Sequence, residues 1–368
     1  MKRNLIRIVS VLLAVLLVVS SFAGCNKEEP EPETTESTTI PIETTTEPPI
    51  PENINPLTGM ADLSENAIGS RPIAIIVENS PAARPQWGIS TPDIVIEGVA
   101  EGGITRMMWV YADAEKIPEK VGPIRSARHD YVELAKGMNA IFVHMGGSDG
   151  SKYGLTLGYQ TIRNLGVNNI DGQKWLGTYF QRDTTRNTAI EHRAYTSGSY
   201  IKSAITNLGF ATRQTDDNWM PYSVIQSENN SVNLMPCSEI SANFSSGYVH
   251  NFKYNNADNK YYNYLNNRVM TDGNDGSSMA VENVIILYVP VSTLNTSAGH
   301  KEWNLEATNG EGYYAYGGEV QQVRWSKAGK SEPLKITTPD GKELVANQGQ
   351  TWMGFVPAAN QSLTAIVG

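Results

Sequence analysis

The order of apolar and polar residues predicts that the first half of the folded chain alternates strands and helices. Residues 72–77 (PIAIIV) form a short, continuously apolar run, which is typical of a strand covered on both faces. Residues 105–111 and 140–144 predict two further strands. Helices are predicted near 126–136, 151–165 and 196–208, and the first of them is expected to begin at Ser126 and to stop at Gly137.

A further helix is predicted after the sequence Thr91-Pro92-Asp93. A capping Thr, a Pro at the first helical position and an acid in the first turn together form a strong helix start. Gly102-Gly103 would end that helix. The residues that follow the start, Ile94-Val95-Ile96, are β-branched, so a strand remains the alternative.

From about residue 245 to the end, strand signals dominate. Strands are predicted at 248–254, 260–265, 283–289, 319–325, 333–338 and 350–356, and Trp352 is expected in the core. Turns are predicted at 339–341 and at 272–276, where the Asp-rich sequence has the wrong spacing for a calcium loop. The two halves together predict an α+β protein, with an N-terminal α/β lobe that contains a mixed sheet and a β-rich C-terminal lobe.

The first 24 residues have the pattern of a bacterial secretory signal. Lys2, Arg3 and Arg7 precede an apolar stretch at 8–19, and Phe22-Ala23-Gly24-Cys25 follows it. This ending resembles the lipobox of bacterial lipoproteins, which implies cleavage before Cys25 and acylation of its sulfur. The apolar stretch is short for a membrane span of about 20 residues. We therefore expect the lipid bilayer, reached through acylated Cys25, as one partner, because two or three acyl chains anchor a protein stably.

Residues 25–56 predict a disordered tether behind the anchor. The stretch is rich in Glu, Thr and Pro, and it holds eight glutamates and one lysine between residues 26 and 56. Such a sequence cannot bury enough apolar surface to offset its loss of entropy on ordering. The expected organisation is a signal at 1–24, the acylated Cys and tether at 25–56, an N-terminal domain at 57–210, a linker at 211–244 and a C-terminal domain at 245–368.

Composition excludes several classes of partner. The chain carries 29 basic and 38 acidic residues, a net charge of −9, so we expect no nucleic acid, whose phosphates need a basic surface. Two cysteines, one of them at the lipobox, exclude a disulfide-rich scaffold. The five histidines are scattered, and we expect neither a metal nor a cofactor.

Charged residues around two predicted helix ends form the main candidate site. In a helix, Glu97 and Glu101 would repel each other at the negative end of the dipole, while Arg125 and Arg128 would lie at the positive end of the next helix. Both conflicts disappear if these groups meet, together with Arg106, in one carboxylate–guanidinium cluster. The cluster is either an ion network that organises the lobe or a pocket for a ligand with carboxylates, phosphates or hydroxyls.

A second candidate is the loop that follows the strand at 140–144. His144 ends that strand, and Gly146, Gly147 and Ser148 follow it. Ligands gather beyond the carboxyl ends of strands in open α/β sheets, and glycines let backbone amides approach an anion. The loop lacks the G-x-S-x-G and P-loop patterns, so a simple turn is the alternative reading.

Several segments are similar to the YerB-like lipoproteins. The similar segments are Asn55-Pro56-Leu57-Thr58-Gly59, Arg71-Pro72-Ile73-Ala74, Asn79-Ser80-Pro81-Ala82-Ala83-Arg84-Pro85-Gln86, Glu101-Gly102-Gly103-Ile104-Thr105-Arg106, Gly122-Pro123-Ile124-Arg125-Ser126-Ala127-Arg128 and Gly349-Gln350-Thr351-Trp352. The resemblance covers nearly all of residues 55–357. It implies a layered β-β-α sandwich and an anchored envelope protein, and it brings no catalytic residues. Where the family pattern has Pro-His-Asn, this chain has Glu191-His192-Arg193.

The resulting functional prediction is a lipid-anchored protein on the outer face of the bacterial cytoplasmic membrane that binds an envelope component. The expected component is peptidoglycan or another wall glycan, or a wall-synthesis protein. The alternative is a hydrolase or transferase that acts on wall polymer through the acidic residues Glu97 and Glu101 and the arginines.

Overall fold

The computed structural model describes residues 52–224, 234–306 and 309–368. The signal, Cys25 and nearly all of the tether lie outside these residues. The strands, in chain order, are β1 (Ile73–Glu78), β2 (Ile94–Glu101), β3 (Ile104–Tyr111), β4 (Ile141–His144), β5 (Asn169–Asp171), β6 (Gln181–Arg182), β7 (Ala194–Tyr195), β8 (Ser223–Val224), β9 (Met235–Pro236), β10 (Glu239–Ser245), β11 (Tyr248–Asn255), β12 (Lys260–Leu265), β13 (Arg268–Val269), β14 (Ala280–Val281), β15 (Asn283–Val289), β16 (Val291–Thr293), β17 (Lys301–Trp303), β18 (Gly310–Tyr316), β19 (Glu319–Lys327), β20 (Leu334–Thr337), β21 (Val345–Ala346), β22 (Thr351–Pro357) and β23 (Ile366–Val367). The α-helices are α1 (His129–Gly137), α2 (Gly158–Leu165) and α3 (Gly198–Leu208).

One large mixed sheet runs through both halves of the chain. Its order is β20-β19-β18-β15-β22-β2-β3-β1-β4-β5, and β9 pairs with β19. Strand β22 pairs in parallel with both β15 and β2, so the C-terminal half joins the N-terminal half at the middle of the sheet. Residues 73–77 of β1 and 284–287 of β15 are continuously apolar because both faces of these strands are covered.

A smaller antiparallel sheet packs on one face of the large sheet. Its order is β13-β12-β11-β10-β23, with β14 paired to β12. Phe252 of β11 contacts the indole of Trp352 on β22, with the ring centroids 4.5 Å apart. Helix α1 covers the other face, where the Tyr131 hydroxyl accepts a hydrogen bond from the N–H of Gly98 in β2. The predicted α+β class and its layered β-β-α arrangement are confirmed.

The helix predicted after Thr91-Pro92-Asp93 is wrong, because Ile94–Glu101 is strand β2 in the middle of the large sheet. The strand preference of the β-branched residues outweighs the helix-capping signal, because both faces of this strand are buried. The Asp93 carboxylate instead accepts hydrogen bonds from Asn55 Nδ2 and from the N–H of Ala112, at 3.0 and 2.7 Å. Burial raises the pKa of Asp93 to about 6.

Two local expectations are also corrected. Helix α1 begins at His129 and not at Ser126, although it ends at Gly137 as predicted. Residues 239–245 form a strand, whereas the sequence predicted an irregular connection as far as residue 244. The predicted turn at 272–276 is confirmed, and the Asp272 carboxylate accepts hydrogen bonds from the N–H groups of Gly88 and Ser90, which ties the turn to the loop before β2.

Candidate functional site

Glu97 lies between the two sheets and has no exposed surface. Its Oε1 accepts hydrogen bonds from Asn79 Nδ2 at 2.9 Å and Thr105 Oγ1 at 2.6 Å, and His250 Nε2 lies 3.0 Å away. Its Oε2 accepts from the Trp352 indole N–H at 3.2 Å. Burial raises the pKa of Glu97, but the attraction of His250 and these hydrogen bonds outweigh it and hold that pKa below its usual value. Glu97 is therefore a buried residue whose hydrogen bonds link the two sheets, and a ligand cannot reach it.

Glu101 lies on the other face of β2. A register shift between Val99 and Glu101 turns this side chain toward Arg106, whereas Glu97 bonds to the neighbouring Thr105. The Glu101 carboxylate pairs with Arg106 on one oxygen and with Arg128 on the other, where Nε and Nη2 are both 3.1 Å away. Arg106 and Arg128 are buried, and the Glu101 side chain is 23% exposed. The structure thus assembles Glu101, Arg106 and Arg128, and it separates them from Glu97.

This arrangement predicts unequal effects of alanine at the two arginines near α1. Arg128→Ala is expected to lower the free energy of unfolding by about 2–3 kcal/mol, because it removes a buried partner of Glu101. Arg125→Ala is expected to cost less than about 1 kcal/mol, because its side chain is partly exposed and its ion pair is long. Urea unfolding of both variants checks this difference. Equal losses would contradict an organising role for the cluster.

Arg125 belongs to a different group, around Glu78 at the end of β1. Its Nε is 3.7 Å from Glu78 Oε1, and His192 Nδ1 donates to the same oxygen at 2.8 Å. The Ser80 hydroxyl donates there too, at 2.7 Å, while Glu78 Oε2 is buried with no hydrogen-bond partner. Sequence reasoning missed this group, because it placed Arg125 with Glu101 and Arg128 and did not pair it with Glu78. In the sequence Glu191-His192-Arg193, which differs from the Pro-His-Asn of the family pattern, His192 has the Glu78 carboxylate as a partner.

The loop after β4 is held by its own contacts. His144 is fully buried, and its ring nitrogens lie 2.7 Å from the carbonyl oxygen of Gly146 and 3.0 Å from Asn169 Oδ1. The Ser148 hydroxyl accepts a hydrogen bond from the N–H of Gly158 at 3.0 Å. The ring of Tyr159 lies against Gly147. These contacts place His144 and Ser148 in separate structural roles, and neither side chain reaches the other as a nucleophile and base would.

A cleft of about 570 Å³ separates the segment after β1 from the hairpin β12–β13; we call it the arginine cleft. Its lining residues are Pro81, Arg84, Pro85, Gln86, Gly247, Leu265, Asn266, Arg268, Val269, Met270 and Thr271. Asn266 and Asn267 have φ angles of 50° and 62°, which Asn tolerates, and they form the two-residue turn that presents Arg268. No acid is among the described residues that line this cleft.

Polar groups on one wall of the arginine cleft have incomplete hydrogen bonding. Arg84 donates from Nη2 to the carbonyl oxygen of Asn79 at 3.2 Å, and its guanidinium lies 5.4 Å from the centre of the Tyr248 ring. Arg84 Nε and Gln86 Oε1 are buried without partners. On the other wall, Arg268 is exposed. Two cations and no lining acid make this cleft suitable for an anion.

Two other kinds of site are absent from the described residues. No group of three or more His, Cys, Asp and Glu side chains in residues 52–224, 234–306 and 309–368 is arranged to hold a metal ion. Within the same ranges, no helix has both the length and the apolar character that crossing a membrane requires. Cys237 is buried with a free thiol.

The fold defines a two-domain α+β protein whose large sheet takes strands from both domains. Residues 57–211 match the family model described as "Protein of unknown function (DUF3048) N-terminal domain", and residues 240–353 match its C-terminal domain. The chain belongs to the DUF3048 family.

A relative and a solved structure confirm the resemblance to YerB-like proteins. The chain is 33% identical over 307 residues to the protein named "Putative lipoprotein YerB" of Bacillus subtilis (strain 168), which covers 82% of this chain and 86% of that protein. The crystal structure of YerB protein from Bacillus subtilis superimposes with a TM-score of 0.70 and 28% identity, over 85% of this chain and 99% of that one.

Proposed function

We propose that this protein is a lipid-anchored extracytoplasmic protein that binds an anionic cell-envelope polymer in the arginine cleft. The observation that carries the proposal is the cleft itself, with Arg84 and Arg268 on facing walls and no acid among the described lining residues. The site lies on the face of the large sheet that the small sheet covers, where β11 to β13 meet the segment after β1.

The anchor rests on the N-terminal sequence and on the relative. The lipobox ends at Cys25, and the similar protein of Bacillus subtilis carries the name "Putative lipoprotein YerB". Acylated Cys25 would hold the chain at the outer face of the cytoplasmic membrane. The Glu-, Thr- and Pro-rich sequence between Cys25 and the first described residues is predicted to be a tether, which suits a protein that reaches into the wall.

The choice of an anionic ligand rests on charge and hydrogen bonding. Guanidinium groups match phosphate and carboxylate geometry with paired N–H donors. The two arginines would repel each other less once an anion lies between them. The volume of about 570 Å³ holds a sugar or sugar-phosphate unit of a polymer. The shared chemistry is therefore a phosphate or carboxylate group on a polyhydroxylated chain.

The alternative of a wall hydrolase or transferase has less support. Glu97 and Glu101 lie on opposite faces of β2, and Glu97 has no exposed surface, so the two carboxylates do not flank a common bond. Glu78 pairs with Arg125 and His192 and lies outside the arginine cleft.

Substitution of Arg268 tests the binding proposal. Arg268→Gln is expected to weaken binding at least tenfold, because it removes an exposed cation from one wall of the cleft without disturbing the core. The full-length chain in detergent is titrated with glycerol 3-phosphate and with N-acetylmuramic acid, which separates a phosphate source from a carboxylate source and offers no free amine. Arg163→Gln is the matched control, since it removes an exposed arginine on α2 that does not line the cleft.

Sedimentation with cell-wall fragments extends the test to the polymer. The native chain and Arg163→Gln are expected to sediment with the fragments, and Arg268→Gln is expected to stay in solution. Equal binding by the two variants would contradict the proposal. Turnover of labelled fragments would favour the hydrolase, and sedimentation that requires a membrane protein in the fragments would favour a wall-synthesis partner instead.

A further inference from the structure

A second cavity, of about 490 Å³, lies between α1 and the hairpin β16–β17. We call it the acidic cavity, and the lining residues that matter here are His129, Glu133, Glu302, Trp303, Glu306 and Lys330. Its lining differs in charge from that of the arginine cleft: three carboxylates face a single lysine. The two sites share no lining residue.

His129 is the unusual member of this lining. Its side chain is 4% exposed, yet both ring nitrogens are buried without a hydrogen-bond partner. The nearest acids are Asp130, whose Oδ1 is 3.5 Å from Nε2 and already accepts the N–H of Trp303, and Glu302, whose Oε1 is 4.0 Å from Nε2. A buried ring with neither nitrogen satisfied carries a desolvation cost that a ligand would relieve.

The ring of His129 is neutral near pH 7. Burial lowers the pKa of His129 to about 4, and the positive charges of Lys330 and Arg128 add to this effect. A neutral imidazole offers one N–H donor and one lone pair. The ring can therefore accept a hydrogen bond from a ligand N–H group without competing with it for a proton.

Among the residues that line the acidic cavity, carboxylates outnumber ammonium groups. Lys330 Nζ is 3.0 Å from Glu133 Oε1 and 4.0 Å from Glu306 Oε1, so the one cation is already engaged. Glu302 accepts from the Ser292 hydroxyl at 3.3 Å, and no described Lys or Arg lies within ion-pair distance of it. The Glu302 side chain is 48% exposed and lies next to the His129 ring.

We propose that the acidic cavity binds a primary ammonium group carried by a small polar ligand. The ammonium group would lie between Glu302 and His129, and it would donate hydrogen bonds to the carboxylate and to the unprotonated ring nitrogen. An ammonium group can donate hydrogen bonds to the Glu302 carboxylate and to the lone pair of the His129 ring. Its positive charge also offsets the excess of carboxylates among the lining residues. The cavity volume accommodates an amino sugar or an amino acid, which share this group. This site is separate from the proposed anion site and does not depend on it.

Paired amine and acetylated probes test the ammonium site. The full-length chain in detergent is titrated with glucosamine and N-acetylglucosamine, and with lysine and Nα,Nε-diacetyl-lysine. We expect at least tenfold tighter binding of a free amine than of its acetylated form, and the pair that shows the preference identifies the amino-sugar or the amino-acid source. A shift of the His129 ring signals in NMR spectra on addition of the amine would locate the ligand.

Two glutamate variants complete the test. Glu302→Gln removes the charge at a half-exposed position and is expected to abolish the preference for the free amine. Glu65→Gln removes an exposed glutamate outside the cavity and should preserve it. Arg268→Gln should also preserve it, which keeps this result distinct from that of the arginine cleft. No binding of either amine, or equal binding of amine and amide, would overturn the proposal, as would an unchanged preference in Glu302→Gln.

Discussion

Glu97→Ala is expected to lower the free energy of unfolding by about 3–5 kcal/mol, because it leaves several buried donors without an acceptor. His250 would lose the carboxylate at 3.0 Å, and the indole N–H of Trp352 would lose its acceptor. Both partners lie in the fully buried layer between the two sheets, where water cannot replace the lost oxygen atoms. Urea unfolding followed by tryptophan fluorescence measures the loss.

A conservative variant and a pH series separate charge from packing at this position. Glu97→Gln keeps the shape and is expected to cost less than Glu97→Ala. Because the pKa of Glu97 is lower in the folded protein than its ordinary 4.5, the stabilisation from its charge is complete above about pH 4.5 and is lost as pH falls through the folded pKa. The gap in stability between the native protein and Glu97→Gln should therefore narrow in acid.

An exposed glutamate serves as the control for the loss of stability at Glu97. Glu65→Ala is expected to change stability by less than about 0.5 kcal/mol, because Glu65 lies on the surface. A loss at Glu97 no larger than that at Glu65, or a gap that stays constant with pH, would show that the buried pair does not connect the sheets as described.

The fold could be predicted from the sequence wherever burial leaves a simple pattern. Residues 72–77 are continuously apolar and residues 283–289 are apolar after Asn283, because β1 and β15 are covered on both faces, and the predicted strands match within a residue or two. Residues 91–101 were harder, because a local capping signal competed with three β-branched residues. Tertiary burial decides between them, and the sequence does not reveal which faces the sheet will cover.

The candidate site was only partly predictable. The link of Glu101 with Arg106 and Arg128 follows from opposite charges that need partners, and the structure brings these three together. Glu97 is separated from this group by a register shift in β2. The order of apolar and polar residues does not predict that shift.

The arginine cleft was beyond reach of sequence reasoning for a different reason. Arg84 and Arg268 are far apart in the chain, and they line the same cleft only because the small sheet packs beside the segment that follows β1. The one available signal was the sequence 79–86, which belongs to the family resemblance and lines one wall. No physical rule in the sequence connected that segment to the hairpin β12–β13.

Gly98→Ala is expected to destabilise the protein by about 3 kcal/mol, because the indole of Trp303 occupies the space that a side chain would need. A Cβ at Gly98 would lie 2.1 Å from Cζ2 of this indole, and under 3 Å something must move. Trp303 cannot retreat easily: it stacks on Phe355 at 5.2 Å and packs edge-on against Tyr131 at 4.8 Å, and its N–H donates to the carbonyl oxygen of Val99. Thermal and urea unfolding would report the loss.

The cause can be isolated with a second glycine and a double variant. Gly247→Ala should change stability by less than about 0.5 kcal/mol, since nothing lies within 4 Å of the added Cβ. Trp303→Leu makes room beside Gly98, so the Gly98→Ala change should cost much less in that background than in the native protein. Additive effects of the two changes would show that the indole does not set the limit at Gly98. Strong coupling would establish that the close approach of Trp303 fixes the hairpin β16–β17, and with it one wall of the acidic cavity, on the large sheet.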